Sequence, residues 1–390
     1  MGFLKNYGFT LILLAAVVAG GICGAVWGEK AAIVKPVGEF FLNVVFVLIV
    51  PLIFFSISSA ACKICRSKTA WKLLGTTLGV FLVLSASVAL IAFFLFMFWN
   101  PFTSANPEAF LSEMDSQSGG GSVSLKGFIA SMLLPLIGIS MLVGIIVAVF
   151  KNKGDKIAGL LDSATSVTVR IMKTVMYAAP VGLGCYFAWT VGSLGGTIIG
   201  EYAGAVYIYL IAALLVFLPL NSAWILSSGG KSLLGKFWRG IVPPSITAVT
   251  TASSAVCIPL NLEAATGMGV DPVVADSVIP FGTNIHKDGS VMGGVVKVMF
   301  LLTVFGGAAP SWDSILLVVG IAILVGTVMG AVPTGGMTGE LLICSILGYP
   351  PELAAVLMVI STLIDVPATL LNSTGNVVAA VLVNRFTKEK

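Results

Sequence analysis

Residues 273–306 read VVADSVIPFGTNIHKDGSVMGGVVKVMFLLTVFG, an apolar run with His286, Lys287 and Asp288 side by side near its middle. A bilayer's hydrocarbon, about 30 Å thick, takes roughly 20 apolar residues as a helix. A charge at the centre of such a helix costs about 2.5–3.5 kcal/mol on insertion scales. Adjacent ionisable groups at that depth therefore face protein or water, and by default they mark a functional site. Lys287 and Asp288 can offset each other, and a structural ion pair that sets helix register is the competing reading. His286, the only histidine, reads equally as a proton carrier or as a satisfied polar side chain.

The rest of the chain fits this reading. Of 390 residues, 57% are hydrophobic and 10% charged, and the mean hydropathy is +1.06. A soluble domain carries about 25% charged residues, so lipid is the main solvent here. The segments are apolar on every face, which predicts helices rather than alternating barrel strands. Apolar stretches fall near 9–28, 36–61, 73–99, 127–150, 168–195, 203–226, 241–261, 273–306, 313–333, 335–348 and 352–384. The first reads as a span, not a cleaved signal.

Basic residues cluster at Lys63, Arg66, Lys68 and Lys72, at Lys151, Lys153 and Lys156, at Lys231, Lys236 and Arg239, and at Arg385, Lys388 and Lys390. The connection 100–126 is acidic instead, with Glu108, Glu113 and Asp115. The positive-inside rule puts the basic connections and both termini in the cytoplasm and this connection outside. The location expected is the inner membrane of a prokaryote. Cys23, Cys185, Cys257 and Cys344 read as small hydrophobes. Cys62 and Cys65 make a CxxC with no second pair, so no metal is expected. The sequence holds no enzyme constellation and no nucleic-acid signal; the partners expected are the bilayer and a small solute.

Two stretches are interrupted, at Thr250-Thr251-Ala252-Ser253-Ser254 and at Pro333-Thr334-Gly335-Gly336. Each interruption leaves halves too short to cross singly. Irregular backbone survives at membrane depth where protein or a watery cavity satisfies it. A pair of such elements points to a transporter's binding site, and a pair of kinked ordinary helices is the competing reading. Asp365, Thr369 and Asn372 fall on one helical stripe at i, i+4 and i+7. A carboxylate holds an ammonium group, and amide and hydroxyl groups hold a carboxylate, so the stripe suits a zwitterion.

Together these motifs resemble the dicarboxylate/amino acid:cation symporter family, the glutamate transporter homologues. The resemblance rests on the serine tip with Cys257-Ile258-Pro259-Leu260-Asn261-Leu262, and on Ile285-His286-Lys287-Asp288-Gly289-Ser290. Val332-Pro333-Thr334-Gly335-Gly336, Leu371-Asn372-Ser373-Thr374-Gly375-Asn376 and Met176-Tyr177-Ala178-Ala179-Pro180-Val181-Gly182 complete it. It implies an all-α polytopic protein of eight transmembrane helices plus two re-entrant helical hairpins, working as an elevator in a homotrimer, with the second hairpin as gate. The domains implied are scaffold helices in 1–72 and 127–202, transport-domain helices in 73–99 and 203–240, an extracellular loop at 100–126 and a transport core at 241–390. Solute would meet Ser253, Ser254, Val332, Gly335, Asp365, Thr369 and Asn372, with Asp365 on the amino group and Ser254 and Asn372 on the carboxylate. A coupling-ion site, or its surrogate, would comprise Gly282, Asn284, His286, Lys287, Asp288, Asn372 and Asn376.

Three departures qualify this. Family members for acidic solutes carry an arginine where Ala368 stands, or beside the serine tip at Ala252. A neutral amino acid is therefore expected, although Lys287 is a neighbouring charge that offers another source. Lys287 replaces a methionine at a sodium site, and Asn376 replaces an aspartate ligand. A tethered ammonium repels Na⁺, so weakened or absent sodium coupling is expected, leaving a facilitator or proton-linked carrier. No cofactor is expected. The alternatives are a conventional sodium- or proton-coupled glutamate, aspartate or dicarboxylate symporter and, in another class, a solute channel.

Overall fold

A computed structural model describes residues 2–66, 71–102, 125–195, 197–306, 310–329 and 337–387. Among them the regular structure is helical. The helices are α1 (Gly2–Trp27), α2 (Lys35–Arg66), α3 (Trp71–Phe98), α4 (Leu125–Val149), α5 (Lys151–Met176), α6 (Ala179–Leu194), α7 (Thr197–Leu215) and α8 (Asn221–Gly240). They continue as α9 (Val242–Thr251), α10 (Ile258–Gly267), α11 (Pro272–Ile285), α12 (Asp288–Phe300), α13 (Ile315–Val328), α14 (Met337–Leu347) and α15 (Leu353–Thr387). Among the described residues five helical stretches are long and apolar enough to cross a membrane, and α5 with α6, bent by 58°, forms a further such pair.

The helices pack as lipid-solvated helices do, through small residues that let backbones touch. A Cβ on Gly20 would lie 2.3 Å from the Gly184 carbonyl oxygen, and one on Gly24 2.3 Å from that of Ala188. These contacts seat α1 on α6. Gly144 does the same for α4 on α2, where Ser58 Oγ also donates to the Ser140 carbonyl at 2.9 Å. The outward faces of α1 and α4 carry exposed Ile12, Val18, Ile22, Leu142 and Ile146. Aromatic rings gather where α3 ends and α13 approaches: Trp312 meets Phe98 at 5.9 Å and Trp99 meets Tyr207 at 5.3 Å. Such rings favour a membrane interface.

The later helices form the interior. Every residue of α12 is buried, as is most of α15. α12 lies against α3, α7, α13 and α15, while α15 also touches α8 to α11 and α14. A second apolar cluster joins Ile225, Phe237, Ala265, Val278 and Val378, tying α8, α10 and α11 to the far half of α15.

One helix break falls where the sequence is interrupted, and another, at His286–Lys287, falls inside the stretch 273–306 that reads as one apolar run. α9 ends at Thr251 and α10 starts at Ile258, each ten residues long and too short to span alone. Ala252 takes a left-handed conformation, φ +46°, and donates its N–H to the Ala248 carbonyl. Prolines at the starts of both helices suit the first turn, where no N–H partner is needed. The second interruption, with Val332 and Gly335, lies outside the described residues, as do Lys68, Lys388, Lys390 and residues 103–124 of the acidic connection.

Two basic clusters differ from expectation. Lys151, Lys153 and Lys156 open α5 rather than forming a connection. That helix is amphipathic, with Asp155, Asp162, Arg170 and Lys173 along it, so charge does not stop it. Lys231, Lys236 and Arg239 likewise lie in α8, beyond a kink at Gly229 and Gly230, where Gly230 has φ +69°. A π-helical turn at Val216–Leu220, containing Pro219, carries the helix from α7 into α8, because a wider turn accommodates a proline without a full break.

Replacing Gly24 by Leu should lower stability by about 1–3 kcal/mol through overpacking against α6, seen as a fall in Tm in detergent. Gly79→Ala, where nothing lies within 4 Å, should leave Tm unchanged or slightly raised.

Candidate functional site

The helix that starts at Pro272 is capped by Asp271, whose Oδ1 accepts the Val273 N–H at 2.8 Å. It ends at Ile285. His286 is extended, with φ −116° and ψ 104°, and Lys287 takes φ −134° and ψ 82° before α12 begins. The interruption thus falls on the charged triplet, deep in the protein. Asp288 opens the first turn of α12, where the helix's exposed N–H groups favour a carboxylate.

His286 lies at the centre. Its ring stacks on Phe81 of α3, with centroids 4.4 Å apart and planes 12° apart. Nδ1 lies 3.1 Å from Asn376 Oδ1 and Nε2 lies 3.1 Å from Asp288 Oδ1. The Asn376 amide nitrogen is already committed, donating to the Asn372 carbonyl at 2.8 Å, so its oxygen faces the ring. Nδ1 has the Asn376 amide oxygen as hydrogen-bond partner, while Nε2 lies within ion-pair distance of Asp288 Oδ1 and neither of those two atoms makes a hydrogen bond among the described residues. The imidazole spans Asp288 and Asn376, and Asp288 pairs with it rather than with Lys287.

Asn372 binds the same region from α15. Its Oδ1 accepts the Ser290 N–H at 3.1 Å and its Nδ2 donates to Ser290 Oγ at 3.3 Å. Tyr209 of α7 donates its hydroxyl to the Gly289 carbonyl at 3.0 Å. Close approach is possible because three positions lack side chains. A Cβ on Gly282 would lie 2.1 Å from Asn376 Oδ1, one on Gly375 2.2 Å from Asp288 Oδ2, and one on Gly289 2.3 Å from the Ala368 carbonyl oxygen. From α10, Asn261 Nδ2 donates to Ser373 Oγ and its carbonyl at 3.0 and 3.1 Å.

The helix α15 carries Asp365, Thr369 and Asn372 on one face. Thr369 and Asn372 are buried and Asp365 is exposed in the isolated chain. Lys287 is buried to 7% exposure, and its ammonium has no ion pair or hydrogen bond among the described residues. Ala368, on α15 between Asp365 and Thr369, brings no positive charge. At the first tip Ser254 is buried and Ser253 half-buried. Asn284 stands apart: it is exposed and its amide donates back to the Pro280 carbonyl at 2.9 Å. Val332 and Gly335 lie outside the described residues.

The motif reading did not reach Phe81 or Tyr209, which enter from distant elements, and it quoted Asn261 without giving it a role. It also passed over Lys297 and Glu340, ionisable residues inside apolar stretches, although the criterion that singled out Lys287 applies to them equally.

Comparison with known proteins gives the family. The pattern of the sodium:dicarboxylate symporter family matches residues 9–386. The C4-dicarboxylate transport protein of Bacillus subtilis (strain 168) is 26% identical across all of this chain and 95% of its own length. The proton/sodium-glutamate symport protein of the same organism is 23% identical over 98% of this chain and 93% of its length. The C4-dicarboxylate transport protein of Rhizobium leguminosarum bv. trifolii (strain WSM2304) is 24% identical over 97% and 88%. With a match over nearly its whole length, this polytopic helical chain belongs to the sodium:dicarboxylate symporter family, a family of membrane transporters and not of enzymes.

Proposed function

We propose that this chain carries a small neutral amino acid across the membrane, with sodium coupling weakened or absent. The observation that carries the substrate reading is the stripe on α15. Asp365 offers a carboxylate to an α-ammonium group, while Thr369, Asn372 and Ser254 offer hydroxyl and amide groups to an α-carboxylate. No arginine stands at Ala368 or Ala252 to clamp a second carboxylate in bidentate fashion.

The coupling reading rests on the break between α11 and α12. The imidazole of His286 occupies the space between Asp288 and Asn376. Asn376 brings an amide, not a carboxylate, and Lys287 adds a buried ammonium beside the same segment. Each of these lowers the attraction of the region for Na⁺. A proton-linked carrier or a facilitator remains on this reading.

In the mechanism proposed, eight crossing helices and two hairpins, α9–α10 and α13–α14, make an elevator within a homotrimer, with both termini cytoplasmic. α3, α7 and the chain from α9 onward would travel with the solute, and α1, α2 and α4–α6 would stay. The burial of α12 and α15 supports this, because their charges stay within protein as the solute moves.

A second reading, a carrier of glutamate or of a C4-dicarboxylate, is favoured by Lys287. Its buried ammonium is a ready partner for an extra carboxylate, and the relatives named above carry such acids. Thermal-shift measurements separate the two: serine or alanine should raise Tm on the first reading, and succinate, aspartate or glutamate on the second.

In reconstituted vesicles, uptake of a labelled neutral amino acid should persist when choline replaces Na⁺; uptake that collapses without Na⁺ refutes the coupling reading. Introducing Lys287→Met with Asn376→Asp should bring Na⁺ dependence. Asp365→Asn should weaken solute binding by about 10- to 100-fold, the worth of a charged hydrogen bond, while leaving the unliganded Tm nearly unchanged.

A further inference from the structure

Three residues outside the site described above meet in the interior from three different helices. Lys297 of α12 is 1% exposed, Glu340 of α14 is fully buried and Ser361 of α15 is 8% exposed. Lys297 Nζ donates to Glu340 Oε1 and, at 2.9 Å, to Ser361 Oγ. Ser361 Oγ in turn donates to the same carboxylate oxygen. Glu340 sits in the first turn of α14, where the helix's free N–H groups favour negative charge.

The place of this cluster gives it meaning. Ser361 lies one turn before Asp365 on α15, so one stripe runs Ser361, Asp365, Thr369, Asn372 and Asn376. The stripe is tied at both ends: Asn376 to His286, and Ser361 to the Lys297–Glu340 pair. Between the ties lie the groups assigned to the solute. Lys297 stands on the same helix as Asp288, roughly 13 Å further along the axis. Apolar contact alone would let α14 slide along its neighbours. A buried ion pair with a shared hydroxyl fixes one register, because any slip leaves both charges uncompensated.

The geometry points to Lys297, Glu340 and Ser361 as positioning residues for solute binding: they lock the start of α14 against α12 and α15, one turn from Asp365, and so hold the spacing of the solute groups. The pair is internally neutral and adds no net charge to the interior. The inference rests on reading the Asp365 stripe as the solute site.

Cys344, buried one turn beyond Glu340 on α14, supplies a reporter that needs no solute. With Cys23, Cys62, Cys65, Cys185 and Cys257 replaced by Ala, N-ethylmaleimide should label Cys344 slowly. Lys297→Met and Glu340→Gln should each speed labelling about tenfold, as α14 opens locally more often. Each should also raise the KM for labelled L-serine uptake about tenfold, with kcat little changed. Lys297→Met combined with Glu340→Leu, which leaves no stranded charge, should restore both protection and KM. Should the single variants not fold, Ser361→Ala carries the test, with smaller changes of the same sign. Unchanged labelling and KM in the variants that fold overturn the inference. A double variant that protects Cys344 without restoring KM also overturns it, since charge rather than placement would then be in use. If the unmodified chain takes up no serine, the reading of the Asp365 site fails, and labelling alone decides whether the cluster docks α14.

Discussion

The structure turns on a helix that breaks in the middle of the protein. Where α11 gives way to α12, N–H and C=O groups lose their helical partners in a region that lipid cannot hydrate. The surroundings answer several of them. Gly282 takes the His286 N–H at 2.8 Å, Lys287 gives its carbonyl to Val291 at 2.8 Å, Asn372 accepts from Ser290, and Tyr209 caps the Gly289 carbonyl. These partners come from α7 and α15 as well as from the broken helix. The polar face of α15, the inward hydroxyl of α7 and the bare glycines at the crossing are consequences of one interrupted backbone.

Charge is distributed by the same logic. Around α12 and α15, His286 lies against Asp288 and Lys297 against Glu340, each pair at contact distance and almost without exposure. Lys287 differs: its buried ammonium has no ion-pair contact among the described residues. Contact pairs tie elements together, because separating them strands a charge.

Much of this was legible in the sequence, and the exceptions have physical causes. Apolar length gives the long helices and the interruption at Thr250–Ser254 gives the break at Ala252, since both signals are local; the break at His286 lies inside a stretch that reads as one apolar run. The extent of α5 and α8 does not follow from their lysines, because an amphipathic helix carries such residues readily on one face. At the site, the placing of Asp365, Thr369 and Asn372 on one face of α15 was legible from helical spacing alone. The role of His286 was not, because its partners lie 90 residues away on Asn376 and on α3. Lys297 and Glu340 were visible as charges in apolar runs, yet nothing in the sequence announces that they meet 43 residues apart.

The bare backbone crossings have a bearing on how such a chain can change over time. Where lipid is the solvent, the outward faces ask only that a side chain be apolar, so Leu, Ile, Val and Phe exchange freely there. Gly282, Gly289 and Gly375 ask for the absence of even one carbon, because carbonyl, amide and carboxylate oxygens already fill that space. Drift among descendants of this protein should therefore concentrate in its bulkiest residues and spare its smallest ones, the reverse of the pattern in a water-soluble core.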